Sequence, residues 1–317
     1  MIIDLSAEAT EYGQQALRAF EAAGGDRLVE QAEANPERRQ RLVEPVFAEL
    51  GAWELEPRQD ADDLEAAAAL CRSCGYWALA YPAAERLGRP ADLDVDGLLV
   101  VPDRAPAAAV ADLGMKWAAV SLDGVRSRAV PHESVGAPRA DAFVTRLDLE
   151  PIDRNGHDDI ALGLTLPCWT LLGMLDRALA LTRAHVLVRE QFGQPLARFQ
   201  NVQFQLADAE VERSGVEALA KYALWSVQAR RPEAVDDALA LRMAAVEAAG
   251  SVFRVAHQLH GAIGFCDETS LSWLSRYSMP LRQLPFGLSA TRDILTRRLG
   301  RHGLTGLFGG PQGGGPS

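Results

Sequence analysis

The sequence predicts a mainly α-helical chain with one small β-domain in its middle. Three observations lead there. Ala, Leu and Glu are abundant among the 317 residues while β-branched residues are modest, a composition that leans helical. Apolar residues step by three and four over both ends of the chain, the period of an amphipathic helix. Between Gly97 and about Ile152 that stepping gives way to short apolar runs broken by turn residues. A chain of this length can bury a large core and hold two or three units.

The elements follow in order. Ser6 can cap a first helix, with Glu8 in the first turn at the positive end of its dipole. Leu42, Val43, Val46, Phe47 and Leu50 mark a second apolar stripe. The acidic cluster Asp60 to Asp63 starts a third helix, which Gly88-Arg89-Pro90 ends. Residues 1–96 are thus expected to form an N-terminal helical domain. Leu98 to Val101, Trp117 to Val120 and Ala142-Phe143-Val144 running on to Leu149 read as strands, with Leu122-Asp123-Gly124 as a turn. Residues 97–155 are then a reduced β-domain. From Ala161 onward Cys168, Leu172, Leu175, Leu179 and Val186 step at helical spacing. So do Phe199, Val202, Leu206 and Ala209, and Leu239, Met243, Val246, Gly250 and Phe253. Shorter helices follow near Glu268 to Tyr277 and Leu288 to Leu299. The connections at Phe192 to Pro195 and Arg230 to Pro232 are short, which predicts an antiparallel helical bundle over residues 156–302. Residues 303–317, rich in Gly and Pro, are expected to be a disordered tail.

The formal charge of −11 and the lack of a basic stretch argue against nucleic acid as a partner. Basic residues concentrate only near the C-terminus, at Arg276, Arg282, Arg292, Arg297, Arg298 and Arg301. These suit either an anionic ligand or a solvated helix face. No apolar run reads as long enough to span a membrane, and Met1 to Ser6 enter a helix with no apolar leader segment, so a cytoplasmic protein is expected. Cys71 and Cys74 form a CxxC, but Leu64, Ala67, Cys71, Cys74 and Ala78 share one helix face. No second pair or nearby histidines complete a metal site. Buried core thiols and no metal are the expectation.

Two runs carry chemistry. In Arg189-Glu190-Gln191-Phe192-Gly193-Gln194-Pro195-Leu196, Arg189 offers a fixed cationic fork suited to a diphosphate. Gln191 can donate and accept, and Phe192 presents an apolar face. In Gln258-Leu259-His260-Gly261-Ala262-Ile263-Gly264-Phe265, Gln258 can bond phosphate or ribose, while Gly261 and Ala262 let a ligand approach the backbone closely. Bland readings stand beside these. Arg189 and Phe192 can end a helix, one complementing its dipole and the other plugging a bundle end, and Gly261 and Gly264 can be helix C-caps. His260 reads as structural or nucleotide-contacting.

These runs resemble the two C-terminal flavin-contacting motifs of the acyl-CoA dehydrogenases. Phe199-Gln200, Leu206-Ala207-Asp208 and the stretch Gly287 to Gly300 stand in that family's order and spacing. The resemblance implies the family's fold, with an N-terminal helical domain, a β-domain and a C-terminal helical bundle. It implies FAD as cofactor, with Arg189, Gln191, Phe192, Gln258, Leu259, His260, Gly261 and Ala262 touching the ADP half of a flavin held mainly by a neighbouring subunit. In the family a glutamate takes the α-proton of an acyl thioester while hydride leaves to the flavin. Here Phe286 stands where that glutamate usually does, in Leu284-Pro285-Phe286-Gly287-Leu288, and Leu288 replaces a flavin-bonding threonine. The alternative position of the base falls at Gly163, again without an acid. No Thr-Glu-Pro run marks the β-domain, and Trp117 lacks the expected polar neighbours. The resemblance therefore implies a non-catalytic subunit with no catalytic residue of its own. Its partner would be a homologous subunit that carries the base and brings the acyl-CoA, with FAD shared between them. The rivals are an autonomous dehydrogenase using Asp267 or Glu268 as base, and a flavin-free scaffold or CoA-binding protein.

Overall fold

The computed structural model describes residues 3–35, 38–109, 114–132 and 144–303. Five helices come first: α1 (Ala7–Ala22), α2 (Asp26–Ala34), α3 (Arg39–Glu49), α4 (Ala61–Tyr76) and α5 (Ala83–Leu87). Ser6 caps α1 by accepting from the Ala9 amide, and Asp60 caps α4 by accepting from Asp62 and Asp63, as their positions predicted. The third helix is shorter than expected. It stops at Tyr76, and Ala78 takes a positive φ of 49°, so Gly88 closes the separate helix α5 instead. Helix α2, nine residues long, is too short for its apolar period to be read from sequence.

The middle of the chain forms strands β1 (Gly97–Val100), β2 (Ala107–Ala108), β3 (Trp117–Val120), β4 (Arg126–Pro131) and β5 (Thr145–Asp153). They make one sheet in the order β1-β3-β4-β5-β2. β1 runs parallel to β3 and the other pairs are antiparallel. Strands β1 and β3 are buried along their whole length, because both faces are covered. Leu98, Val100, Ala118 and Val120 pack with Ile160, Leu164, Ala238 and Phe286, while Leu99, Val101, Trp117 and Ala119 fill a cluster on the other face. Of the expected strand Ala142-Phe143-Val144, the first two residues lie outside the described residues, as do residues 304–317 of the expected tail.

Helix α6 (His157–Val188) then leads through a hairpin, β6 (Glu190–Gln191) and β7 (Gln194–Pro195), into α7 (Gln200–Gln228), α8 (Ala234–His260), α9 (Ser270–Gln283) and α10 (Leu288–His302). Helix α6 corrects one expectation, since it is long and apolar enough to cross a membrane by length and composition. Of its most apolar window, however, 67 % is buried inside the fold, as a central core helix requires. It crosses α4 at backbone contact. A Cβ on Gly75 would lie 1.8 Å from the Thr170 carbonyl oxygen, and one on Gly173 would lie 1.8 Å from that of Arg72. Cys71, Cys74 and Cys168 are buried free thiols and Cys266 is exposed, so the CxxC is core packing.

A buried charge cluster pins the sheet to this frame. The Asp159 carboxylate, 1 % exposed, meets Arg126 Nε at 2.7 Å and Arg58 Nη1 at 2.7 Å. It thereby joins strand β4, the start of α6 and the loop before α4.

Candidate functional site

The two motif runs meet at one end of the bundle, where α6 and α8 both terminate. Arg189 is the C-cap of α6 and is exposed, with no side-chain hydrogen bond or ion pair among the described residues. Beyond it the chain turns through Phe192 and Gly193, whose φ angles are +52° and +77°. Positive φ at both central residues is the signature of a type I′ hairpin turn. For a bulky residue this conformation is strained by roughly 1–2 kcal/mol. Phe192 is nevertheless 92 % exposed and makes one edge contact, to Phe199 at 6.2 Å between centroids. The reading of Phe192 as a plug for the bundle end is therefore wrong, because the ring faces outward. Strain at an exposed aromatic is a pointer to a role in contact.

The second run ends α8. Gln258 is exposed and His260 half-buried. Gly261 is indeed the C-cap, at φ +64° with its amide bonded to the His257 carbonyl. Nothing stands within 4 Å of where its Cβ would be, so the backbone is open to a ligand. Ala262 is exposed beside it. Leu259 is different, since at 9 % exposure its side chain belongs to the core. Gly264 has ordinary backbone geometry and is packed tightly, its Cβ position only 2.9 Å from His260 Cβ.

Histidines lock the two runs together. His185, in the last turn of α6, stacks on His260 with centroids 4.4 Å apart and planes 20° from parallel. His260 Nδ1 donates to the Ala256 carbonyl at 2.8 Å, and His257 stacks on Phe265 at 4.3 Å. Burial pushes all three histidines down from their usual range. The charge of Arg189 adds to the effect on His185, and His260 adds to that on His185 and His257. Sequence reading missed His185, because a lone histidine in a helix's last turn usually just complements the dipole.

These groups suit the ADP part of a flavin: a cation without a partner among the described residues, two exposed amides, an outward aromatic ring and open glycine backbone. The flavin ring side does not fit. Phe286 is 7 % exposed and sits in the apolar cluster with Leu98 and Val100. Its carbonyl accepts from Arg242 Nε at 3.0 Å and from Thr291 Oγ1 at 3.1 Å. At the alternative position, a Cβ on Gly163 would strike Val100 Cγ2 at 2.7 Å, so packing occupies the space a carboxylate would need. Trp117 is buried at 2 % exposure.

Asp267 is exposed and paired with Arg276 at 2.8 Å. It precedes α9 while Phe286 follows it, so about 20 Å of helix separates Asp267 from the usual place of the base. The carboxyl that burial pushes up to about 7 is Glu85, on α5, which sequence reading did not single out.

Half of the C-terminal arginines are tied off in ion pairs. Arg276 pairs with Asp267, Arg292 with Glu247 and Arg298 with Asp236. Arginines from several elements line a cavity of about 680 Å³, among them Arg58, Arg230, Arg231 and Arg298, beside Asp60 and Asp158. Arg230 is exposed there at a φ of +49°.

Comparison with known proteins bears on the family and the fold. Residues 165–299 match the family described as acyl-CoA dehydrogenase, C-terminal domain. The chain is 31 % identical over 188 residues to 3-sulfinopropanoyl-CoA desulfinase of Paraburkholderia xenovorans (strain LB400), covering 58 % of this chain and 43 % of that protein. It is 29 % identical over 209 residues to acyl-CoA dehydrogenase FadE27 of Mycobacterium tuberculosis (strain ATCC 25618 / H37Rv), covering 61 % and 51 %. The matches thus span about half the length of these relatives. Among solved structures, the fold is similar to the Tcur3481-Tcur3483 steroid ACAD variant, with a TM-score of 0.76 and 18 % identity over 93 % of this chain and 98 % of that one. It is also similar to the ChsE4-ChsE5 complex from Mycobacterium tuberculosis, with a TM-score of 0.71 and 16 % identity over 95 % and 99 %.

Proposed function

We propose that this chain, whose residues 165–299 match the acyl-CoA dehydrogenase C-terminal domain and whose described residues take that family's fold, is the non-catalytic subunit of a heteromeric FAD-dependent acyl-CoA dehydrogenase. The flavin, held mainly by the partner, would supply the hydride acceptor for α,β-dehydrogenation of an acyl-CoA. In this chain Arg189, Gln191, Phe192, Gln258 and the backbone at His260, Gly261 and Ala262 hold the diphosphate and nucleotide end. One observation carries the reading: the outward-facing motif pair survives, while both places for a base are filled by packing at Phe286 and Gly163. Two similar structures are named as paired proteins, and one of those as a steroid ACAD, which supports a heteromer acting on the CoA ester of a sterol side chain. A cytoplasmic location goes with this reading.

The test is cofactor stoichiometry. Expressed alone, the chain binds little FAD and dehydrogenates no acyl-CoA. Co-expressed with a relative that keeps the glutamate, it forms a complex with one flavin per pair of unlike chains. A yellow, active homomer overturns the reading.

One observation favours a second reading, a chain that binds CoA or acts by itself. The arginine-lined cavity offers Arg230, exposed and without a side-chain partner among the described residues, to an anionic ester. Arg230→Ala then weakens acyl-CoA binding by the isolated chain, whereas the subunit reading has no acyl-CoA binding there to lose.

A further inference from the structure

One histidine at the bundle end lies outside both motif runs. His185 stands one helical turn before Arg189, whose amide donates to the His185 carbonyl at 2.9 Å. Residues four apart on a helix share a face, so the imidazole is a neighbour of the guanidinium offered to the diphosphate. The ring is half-buried, and neither of its nitrogens has a hydrogen-bond partner among the described residues. Polar groups inside a packed bundle are normally bonded, so two idle ring nitrogens beside an unpaired arginine point to a ligand.

The ring is nevertheless held in place. His260 covers one face, with centroids 4.4 Å apart and planes 20° from parallel. His260 Nδ1 donates to the Ala256 carbonyl at 2.8 Å, which fixes its ring as a flat, neutral platform. A protonated imidazole is well accommodated on such a π face.

What His185 lacks is a counter-charge. Burial, His260 and Arg189 all disfavour its cationic form. The flanking elements bring no carboxylate within ion-pair distance of it among the described residues. Glu190 of the hairpin, Arg198 before α7, Arg254 and His257 of α8, and Asp267 and Glu268 before α9 make no ion pair with it, Asp267 being tied to Arg276. Gln200 to Ala207, the first two turns of α7, carry no charged residue. A diphosphate laid against Arg189 reverses this balance. It cancels the repulsion from the guanidinium and supplies the missing anion, at a helix C-terminus whose dipole already favours a cation.

We propose that His185 is a second, proton-linked cation of the ADP grip, neutral in the chain alone and protonated from solvent when the flavin diphosphate lies against Arg189, with His260 as its stacking platform. The proposal rests on the subunit reading above and adds that flavin is held more tightly as pH falls. The ligand favours the protonated ring, so the added grip is full below the range in which His185 titrates in the free chain, under 6.5. It is lost as pH rises through the range of the loaded complex.

FAD retention by the complex with the base-bearing relative, read by flavin fluorescence between pH 8 and pH 5.5, tests it. The wild type tightens by about three- to tenfold on acidification, as one histidine beside an anion allows. His132→Asn, at an exposed histidine beside Asp148, behaves as the wild type. His185→Asn, neutral at every pH, keeps the wild-type retention of pH 8 and gains little on acidification. Calorimetry of FAD binding at pH 6.5, in two buffers of different ionisation enthalpy, reads the same linkage without any variant, and the wild-type complex takes up a fraction of a proton. If His185→Asn does not assemble, the calorimetry decides. No proton uptake, or an equal pH dependence in an assembled His185→Asn, overturns the proposal and leaves the subunit reading standing, because the complex still binds flavin. A complex that holds no flavin at any pH, or that does not form, overturns both.

Discussion

Replacing Asp159 by Asn is expected to loosen the β-sheet from the helical frame. The carboxylate is 1 % exposed and is shared by Arg126 and Arg58, each at 2.7 Å, with Arg126 itself 5 % exposed. Asn keeps the shape and removes the negative charge, so two guanidinium groups are left facing a neutral amide. Arg126 keeps Asp92 at 2.6 Å, but that carboxylate is 62 % exposed and screened by water. Breaking a buried ion pair by removing one partner typically costs about 3–5 kcal/mol, because an uncompensated buried charge remains. At roughly 2–3 °C per kcal/mol for a chain somewhat larger than 250 residues, the unfolding temperature falls by about 6–15 °C. The assay is thermal unfolding followed at once by helical circular dichroism and by Trp fluorescence. The triple variant Arg58→Met, Arg126→Met, Asp159→Leu removes the buried charges together and recovers most of the loss. A drop below about 2 °C in Asp159→Asn would falsify the argument that this cluster anchors the sheet.

Three further outcomes are expected. Arg189→Ala weakens flavin retention by the assembled complex about ten- to a hundred-fold, as loss of a charge-assisted contact of about 1.5–3 kcal/mol implies, while the exposed position leaves the fold unchanged; unaltered retention favours a plain helix cap. Because burial holds His185, His257 and His260 below the usual 6.5, the unfolded chain takes up protons first as pH falls. Their contribution is fully present above about pH 6.5 and is lost below it, so the unfolding temperature falls more steeply between pH 7 and 5 in the wild type than in His185→Asn/His260→Asn; parallel profiles refute the linkage. Phe286→Glu creates no second active site, since the flavin-ring contacts are missing too, and anaerobic titration with acyl-CoA reduces no more flavin per complex than before; a doubling sinks the half-site reading.

The bundle helices, the first strands and the two motifs could be read from the sequence because each is governed by local rules: apolar period, capping residues and turn residues. What stayed hidden depends on tertiary neighbours. The reach of the third helix depended on Ala78 adopting a left-handed backbone that no local residue signalled. The alternative reading of Phe192 as a plug rests on the usual burial of aromatic residues. Its exposure follows from the turn formed with Gly193, which points the ring away from the bundle. Leu259 counted as a site residue by its place in a motif, yet its side chain faces the core, as the helical period of Val252, Val255 and Ala256 requires. His185, Glu85 and Arg230 carried no signal, since each becomes notable only through a neighbour distant in sequence.

The crossing of α4 over α6 sets a limit on how this chain can be divided. With Gly75 and Gly173 each seated against the other helix's backbone, the early helices and the bundle share a seam with no room for even a methyl group. The shared core running from Ala16 to Tyr277 cannot be partitioned at residue 96 without exposing the faces of both helices. A truncated C-terminal piece carrying the Arg189 and Gly261 runs would thus arrive with its central helix bare along one side. Fragments cut at that boundary should aggregate or be degraded. Any search for the smallest active unit has to begin from a chain that retains α4.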